Sequence, residues 1–85
     1  MIMCRKKNAS RVWYLAGVIR ECSRCRDGTW RVAAEEETAY ARARLSGIFQ
    51  HHAALTAIIP GRRYILIYRI WEKKENEVVA VFELA

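Results

Sequence analysis

Apolar side chains alternate from residue 11 to about residue 25, which is the spacing of a strand rather than of a helix. Many of them are β-branched or aromatic, and such residues are enriched in strands. Asp27-Gly28 follows, and both residues tolerate the positive φ of a two-residue hairpin turn. The pattern therefore predicts a strand that turns back on itself at Asp27-Gly28. The two sides of its alternation are Trp13, Leu15, Gly17 and Ile19, and Val12, Tyr14, Ala16, Val18 and Arg20.

A two-residue turn fixes the register of this first hairpin. It pairs Cys25 with Trp30 and Arg24 with Arg31. Trp30 then lies on the same face as Leu15 and the rest of the first group, so turn and pattern agree.

Residues 34–49 predict a helix, the only one in the chain. Their apolar positions recur at spacings of three and four, which is the stripe of an amphipathic helix. Three glutamates stand at the start, at 35–37, while Arg42 and Arg44 come later, so both signs complement the helix dipole. The stripe consists of Ala34, Thr38, Ala41, Leu45, Ile48 and Phe49.

Residues 64–84 predict a second hairpin. Apolar and polar side chains alternate from residue 64 to residue 71, and the chain is apolar again from residue 78. A three-residue loop at 74–76, with Asn76 in the left-handed conformation, produces a continuous apolar face. The resulting pairs are Ile70 with Ala80, Tyr68 with Phe82, and Leu66 with Leu84. Residues 53–59 fit either a short strand or the end of the helix.

The order of these elements, β-β-α-β-β, predicts an α+β fold. We expect an antiparallel sheet of about four strands in two hairpins, with the helix packed on one face. Residues 1–10 would form a basic N-terminal tail, and residues 11–85 a small single domain.

The face that the helix leaves uncovered is unusually apolar for a sheet face in water. We expect it to carry Val12, Tyr14, Ala16, Val18, Arg20, Arg24 and Arg31 on the first hairpin, and Ile65, Ile67, Arg69, Trp71, Val79, Val81 and Glu83 on the second.

Two occupants fit this face. A second copy of the chain would bury its aliphatic residues, and dimers are the commonest oligomers. A nucleic acid would stack its bases on aromatic rings while arginines hold its phosphates. The predicted oligomer interface is Val12, Val18, Ile65, Ile67, Val79 and Val81, and the predicted nucleic-acid site is Arg20, Arg24, Arg31, Tyr14, Arg69 and Trp71.

Composition narrows the class of partner. The chain has 85 residues, room for one domain, and 15 lysines and arginines against 9 acidic residues, a formal net charge of +6. A charge of this sign favours an acidic macromolecule. Arginine predominates, and its planar guanidinium suits phosphate and base contacts. Further basic clusters stand at residues 5–7 and 62–63.

Catalytic chemistry finds little support. Cys22 and Cys25 have the spacing of half a zinc site, and Cys4 with one of His51 and His52 would complete it, but a second closely spaced pair of ligands is missing. Ordinary reduced thiols are the simpler interpretation, and one of the two histidines would cap the end of the helix. Asp27 is the only aspartate, and the four glycines are scattered. We expect no enzyme, no cofactor and no catalytic residue.

We therefore expect a non-enzymatic binding module that self-associates through its sheet, with a dimer favoured, and binds an acidic macromolecule, most concretely nucleic acid. The alternatives are a protein-binding inhibitor or adaptor of the kind carried by phages and mobile elements, and a dimer that binds a small molecule. The longest apolar run is too short to span a membrane, so we expect a cytoplasmic protein.

Overall fold

The computed structural model describes residues 11–37 and 40–85, and these form an antiparallel sheet of five strands. The strands lie in the order β3-β2-β1-β4-β5. They are β1 (Arg11–Arg24), β2 (Trp30–Glu37), β3 (Arg42–Phe49), β4 (Arg63–Ile70) and β5 (Glu77–Glu83), and a short 3₁₀ helix (Ala53–Ala57) precedes β4. The expected small antiparallel-sheet domain is confirmed. The predicted tail, residues 1–10, lies outside the described residues.

The predicted helix at 34–49 is wrong, so the expected α+β fold of about four strands is matched only in part: the described residues form five strands, and their only helical element is the short 3₁₀ helix. The residues of the predicted helix form the end of β2 and all of β3, with residues 38–39 between them outside the described part. Glu35 pairs with Arg44 across the two strands, so charges that would complement a helix dipole instead face each other in a sheet. The small side chains of Ala33 and Ala34 are both buried in the sheet. Tertiary pairing overrides the weak local preference of such alanine-rich segments.

Strand β1 is long because it has two partners in succession. Residues 11–18 pair with β4, and residues 18–24 pair with β2. The change requires a glycine at position 17: its φ is +141°, and a Cβ there would lie 2.4 Å from the carbonyl oxygen of Glu35. A β-bulge follows at Arg20, between Ile19 and Glu21. Bulges increase the twist of a strand, so β1 bends where it exchanges one neighbour for the other.

The turn of the first hairpin is one residue longer than predicted. Cys25 N–H donates to the Thr29 carbonyl at 2.7 Å, and Gly28 N–H donates to the Cys25 carbonyl at 3.0 Å, with Gly28 at a φ of +93°. This is a three-residue loop with glycine in the left-handed position. Asp27 accepts hydrogen bonds from the Thr29 hydroxyl and N–H, which lower the pKa of its carboxyl group.

The predicted register of the first hairpin is therefore wrong, since Arg24 pairs with Trp30. The prediction that Trp30 shares a face with Leu15 still holds. The shift at the turn and the bulge at Arg20 each move the pattern by one residue, and the two displacements cancel.

The predicted register of the second hairpin is also wrong, by three residues. Ile67 pairs with Ala80, Ile65 pairs with Phe82, and Val79 is an extra residue in β5. Asn76 does not adopt the left-handed conformation, because no described residue other than glycine has a positive φ. It bonds to β3 instead.

The core lies on one face of the sheet, and the 3₁₀ helix covers it. Leu55 in this helix is buried, as is Ile58 just after it. His52 caps the helix start, because its Nδ1 accepts the Ala54 N–H at 3.0 Å. We expected a histidine to cap the end of the predicted helix, whereas His52 caps the start of this 3₁₀ helix. The buried cluster is Leu15, Ile19, Trp30, Val32, Ala34, Phe49, Leu55, Ile58, Tyr64, Leu66 and Val78.

The two edge strands meet at one end, so that the sheet partly closes on itself. Phe49 and Asn76 form a parallel bridge. Gln50 N–H donates to the Asn76 carbonyl at 2.7 Å, and Asn76 N–H donates to the Ile48 carbonyl at 3.2 Å. A curved sheet of this kind has an inner face, filled by the core, and an outer face.

None of the helices in the described part is long and apolar enough to cross a membrane.

The contact at Gly17 leads to a test of stability. Gly17→Ala combines an unfavourable φ with a clash against backbone, so we expect the free energy of unfolding to fall by about 3 kcal/mol or more. Gly61 has a φ of +98° with no atom near its missing Cβ. Gly61→Ala should therefore lower the free energy of unfolding by only about 1 kcal/mol. Urea denaturation measures both, and equal losses would contradict a special role for Gly17.

Candidate nucleic-acid interface

The outer face of β1, β4 and β5 carries an exposed apolar platform. Neighbouring residues across these strands form the rows Tyr14–Ile67–Ala80 and Ala16–Ile65–Phe82. Tyr14 is 67% exposed, Phe82 57% and Val12 58%. We call this surface the platform. It consists of Val12, Tyr14, Ala16, Val18, Ile65, Ile67, Ala80 and Phe82.

Four of the six predicted interface residues belong to the platform: Val12, Val18, Ile65 and Ile67. The expected outward position of Val81 is wrong, because Val81 pairs with Leu66 and packs against the buried cluster. Val79 is the extra residue of β5, so it stands outside the rows of the platform. The error at Val81 follows from the register of the second hairpin, since an odd shift moves each side chain to the opposite face, and the error at Val79 follows from the irregularity in β5.

The predicted arginines do not form one group. Arg69 pairs with Val12 and Arg31 with Ser23, which puts both on the outer face. Arg20 is bound to Glu35, whose Oε1 accepts from Nη2 at 3.0 Å and from Nε at 3.2 Å. Arg24 pairs with Trp30, a core residue, so its expected place on the outer face is wrong.

The two aromatic rings that were expected to stack bases differ in their surroundings. Tyr14 stands in the middle of the platform. Trp71 follows β4, and its Nε1 donates to Oε1 of Glu77 at 2.8 Å. The ammonium group of Lys74 lies 4.7 Å from the centre of its ring. Trp71 is therefore already engaged by its own hairpin, whereas Tyr14 is open to a ligand.

Sequence reasoning missed two residues of this surface. Phe82 replaces Val81 on the platform, and Arg63, which pairs with Val18, adds a cation at the end opposite Arg69. The alternation of residues 78–84 alone leaves two choices of face, because both of its sides are apolar. Only the pairing with β4 decides between them.

A cleft opens on the same outer face, where β1 exchanges β4 for β2 as its neighbour. It has a volume of about 290 Å³. Residues 16–18 contribute to its lining, together with Arg20, Glu35, Glu36, Arg42 and Arg63.

Cys22 and both histidines make contacts within the fold. The Cys22 thiol faces the core and donates to the Leu55 carbonyl at 3.6 Å, and burial raises its pKa. His51 Nδ1 accepts the Trp30 indole N–H at 3.1 Å. In the part of the chain that the structure describes, no cluster of three His, Cys, Asp or Glu residues is placed to hold a metal ion. Cys4 lies outside that part.

The different positions of Cys22 and Cys25 lead to a labelling test. A raised pKa means less thiolate at neutral pH, so iodoacetamide should modify Cys22 more slowly than Cys25, and the rate at Cys22 should rise as the pH is raised. Mass spectrometry of the digested protein measures both sites. The two rates should become similar in urea. Equal rates in the folded protein would contradict the inward position of Cys22.

Comparison with protein-family models, with curated proteins and with solved structures finds no match for this chain, so its function has to be inferred from the surface described above.

Proposed function

We propose that this protein is a small, non-enzymatic module that binds single-stranded nucleic acid across its platform. The observation that carries the proposal is the pair of exposed rings, Tyr14 and Phe82, on an apolar sheet face with Arg69 at one end and Arg63 at the other. A folded chain in water has little reason to expose two aromatic rings on one face unless a partner covers them.

The chemistry of these side chains suits a single strand. Every base has a flat π-face, so aromatic rings bind successive bases with little regard to sequence. The guanidinium groups of Arg63 and Arg69 would hold phosphate oxygens on either side of the stacked bases. A duplex keeps its bases stacked inside and cannot offer them to Tyr14 or Phe82. The proposal therefore predicts a preference for single strands.

The topology supports the same proposal at the level of the fold. Strand β1 is shared by β2 and β4, a short helical turn precedes β4, and β3 and β5 meet in parallel through Phe49 and Asn76. This arrangement is similar to the five-stranded barrel of the OB fold, which binds oligonucleotides and oligosaccharides through the face of its second and third strands and the adjoining loops, and not through the face that carries the platform here. Similar topology does not assign a function, so the proposal rests on the side chains of the platform.

A second copy of the chain is the competing occupant. The aliphatic part of the platform, Val12 with Ile65 and Ile67, is suited to a dimer interface. Since Tyr14 lies among these residues, a dimer formed through this face would cover the ring that stacks bases. We propose that self-association occurs in the absence of nucleic acid and that binding of a strand reverses it. The alternative is that this protein is an inhibitor or adaptor and that an acidic protein occupies the same face. The following tests distinguish this alternative from nucleic-acid binding.

Removal of the rings tests the platform directly. Tyr14→Ala and Phe82→Ala should each weaken binding of a fluorescent oligothymidine of about 12 nucleotides by about fivefold to 150-fold, since base–aromatic stacking contributes about 1–3 kcal/mol. Fluorescence anisotropy measures the dissociation constant. Tyr40, which is 97% exposed in the β2–β3 connection, offers the matched control. Tyr40→Ala should leave the affinity within about twofold.

The wild-type affinity for the oligothymidine should also fall steeply between about 50 and 200 mM salt, because cations that bind phosphates release counterions. No binding of the wild-type protein at the lower salt concentration would refute the proposed function. Equal losses in the Tyr14, Phe82 and Tyr40 variants would refute the platform as its location.

Competition between the two occupants leads to a separate prediction. Sedimentation velocity should show a dimer at high micromolar protein concentration and a one-to-one complex of monomer and strand once oligothymidine is in excess. Val12→Glu would place a carboxylate in the dimer contact, so it should give a monomer at all of these concentrations. A protein that stays dimeric when saturated with oligonucleotide would contradict a shared face.

A further inference from the structure

Strand β3 stands at one end of the strand order and pairs with β2 through residues 42–49. On the other side of residues 43–49, the described part of the chain supplies one backbone neighbour, Asn76, which bridges Phe49 at the end of the strand. The opposite edge strand, β5, packs against the 3₁₀ helix. The open edge of the sheet is therefore that of β3.

The hydrogen bonds of Asn76 show which backbone groups of β3 face this edge. The Ile48 carbonyl accepts from Asn76 N–H at 3.2 Å, so Ile48 directs its backbone groups away from β2. Alternate residues of a strand direct their N–H and C=O to the same side, and the pairing of β3 with β2 has no irregularity. Arg44 and Ser46 therefore also direct an N–H and a C=O outward. These groups are a ladder that a further strand can continue.

The side chains beside this edge differ between the two faces of the sheet. Leu45 lies on the inner face, since it pairs with the buried Ala34, yet 40% of Leu45 is exposed. Arg44 lies on the outer face and is exposed. Glu35, its neighbour on β2, accepts two hydrogen bonds from Arg20. The charges thus alternate toward the edge as Arg20, Glu35 and Arg44, and the row ends on a cation.

An extended segment of another protein matches both the backbone and the side chains of this edge. Its main chain would continue the ladder, as in other cases of strand addition. An apolar side chain next to Leu45 would cover it, and a carboxylate next to Arg44 would continue the alternation of charge. A second copy of the chain suits the edge less, because it would bring a second Arg44 to the same place. A nucleic acid has no peptide backbone with which to extend a sheet.

We propose that β3 binds an extended segment of a partner protein as a sixth strand, and that acidic and apolar residues alternate in this segment. The apolar residues face inward beside Leu45, and the acidic residues face outward beside Arg44. The inference is independent of the proposed function, because the platform lies on β1, β4 and β5. One molecule thus holds a strand of nucleic acid and a partner protein at the same time.

A synthetic peptide of about eight residues in which Glu and Val alternate tests this inference. Labelled with fluorescein, it should bind the full-length protein in a fluorescence anisotropy titration. A peptide of the same composition with Glu and Val in two blocks should bind at least about tenfold more weakly, since only alternation puts all valines on one face. No binding of the alternating peptide at about 1 mM protein would overturn the inference.

Methylation of alternate amides in the peptide distinguishes strand addition from a general attraction between charges. N-methylation of the Glu residues blocks one edge of the extended peptide, and N-methylation of the Val residues blocks the other. One of these two peptides should keep its affinity within about threefold, whereas the other should lose binding. The one that binds shows whether the segment runs parallel or antiparallel to β3. Equal affinities of the two peptides would overturn the inference.

A matched pair of variants locates the binding edge. Arg44→Glu should weaken binding of the Glu–Val peptide at least about threefold, because like charges would replace opposite ones across the strands. It should tighten binding of a peptide in which Lys and Val alternate. Arg31→Glu makes the same change of charge on the outer face of β2, away from the edge, and should leave both affinities within about twofold at about 150 mM salt. Equal effects of the two variants would contradict the proposed edge.

A proline at position 46 tests the backbone ladder. Ser46→Pro removes an outward N–H without removing a bond to β2, and proline is tolerated on edge strands in such positions. The variant should lose peptide binding and keep the circular dichroism spectrum of the wild type. If it does not fold, the two methylated peptides still test the same ladder on the wild-type protein.

The remaining outcomes separate this edge from the platform. An excess of oligothymidine, or Tyr14→Ala, should leave peptide binding unchanged, and displacement of the peptide by oligothymidine would overturn the inference. A wild-type dimer that Arg44→Glu dissociates would place a second copy on the edge and would also overturn it. Failure of the peptide to bind leaves nucleic-acid binding intact, and failure of oligothymidine to bind removes the proposed function alone.

Discussion

The structure depends on the close approach of the Glu35 carbonyl to Gly17. At this point β1 exchanges β4 for β2, and a residue with a side chain would hold the two strands apart. The bulge at Arg20 completes the bend. Because β1 serves two neighbours, one five-stranded sheet can curve until its edge strands meet at Phe49 and Asn76. The curvature separates a filled inner face from an open outer one, and it also creates the cleft. Core, platform and cleft thus share one cause.

The sequence allowed a good prediction of strand content in the first and last thirds of the chain and a poor one in the middle. Alternation identifies β1 and β4 because their apolar residues are large and β-branched or aromatic. Residues 34–49 combine alanines, glutamates and arginines, which suit a helix locally, and only the pairing of Glu35 with Arg44 shows the alternative. Register was the weakest part. The bulge at Arg20 has no sequence signature, and it happened to cancel the error at the turn, whereas nothing cancelled the error in the second hairpin.

The prediction of the candidate site succeeded and failed for the same reasons. Tyr14, Arg69, Ile65 and Ile67 were placed correctly, because each lies in a strand whose alternation is clear. Phe82 was missed since both sides of β5 are apolar, and the cleft was missed because it depends on the divergence of β2 from β4. The expected cluster of arginines on the first hairpin gave way to a different distribution of charge. In the structure, cations stand at both ends of an apolar platform, which is the arrangement that a strand lying across the sheet would require.

The central claim is that a single strand of nucleic acid lies on the outer face of the sheet, and photochemical crosslinking tests it most directly. An oligonucleotide of about 12 nucleotides that contains 5-bromodeoxyuridine is irradiated with the protein, and crosslinked peptides are sequenced by mass spectrometry. We predict crosslinks at Tyr14 and Phe82, on β1 and β5. Crosslinks confined to the basic residues 5–7, or to Trp71 and its hairpin, would contradict the account.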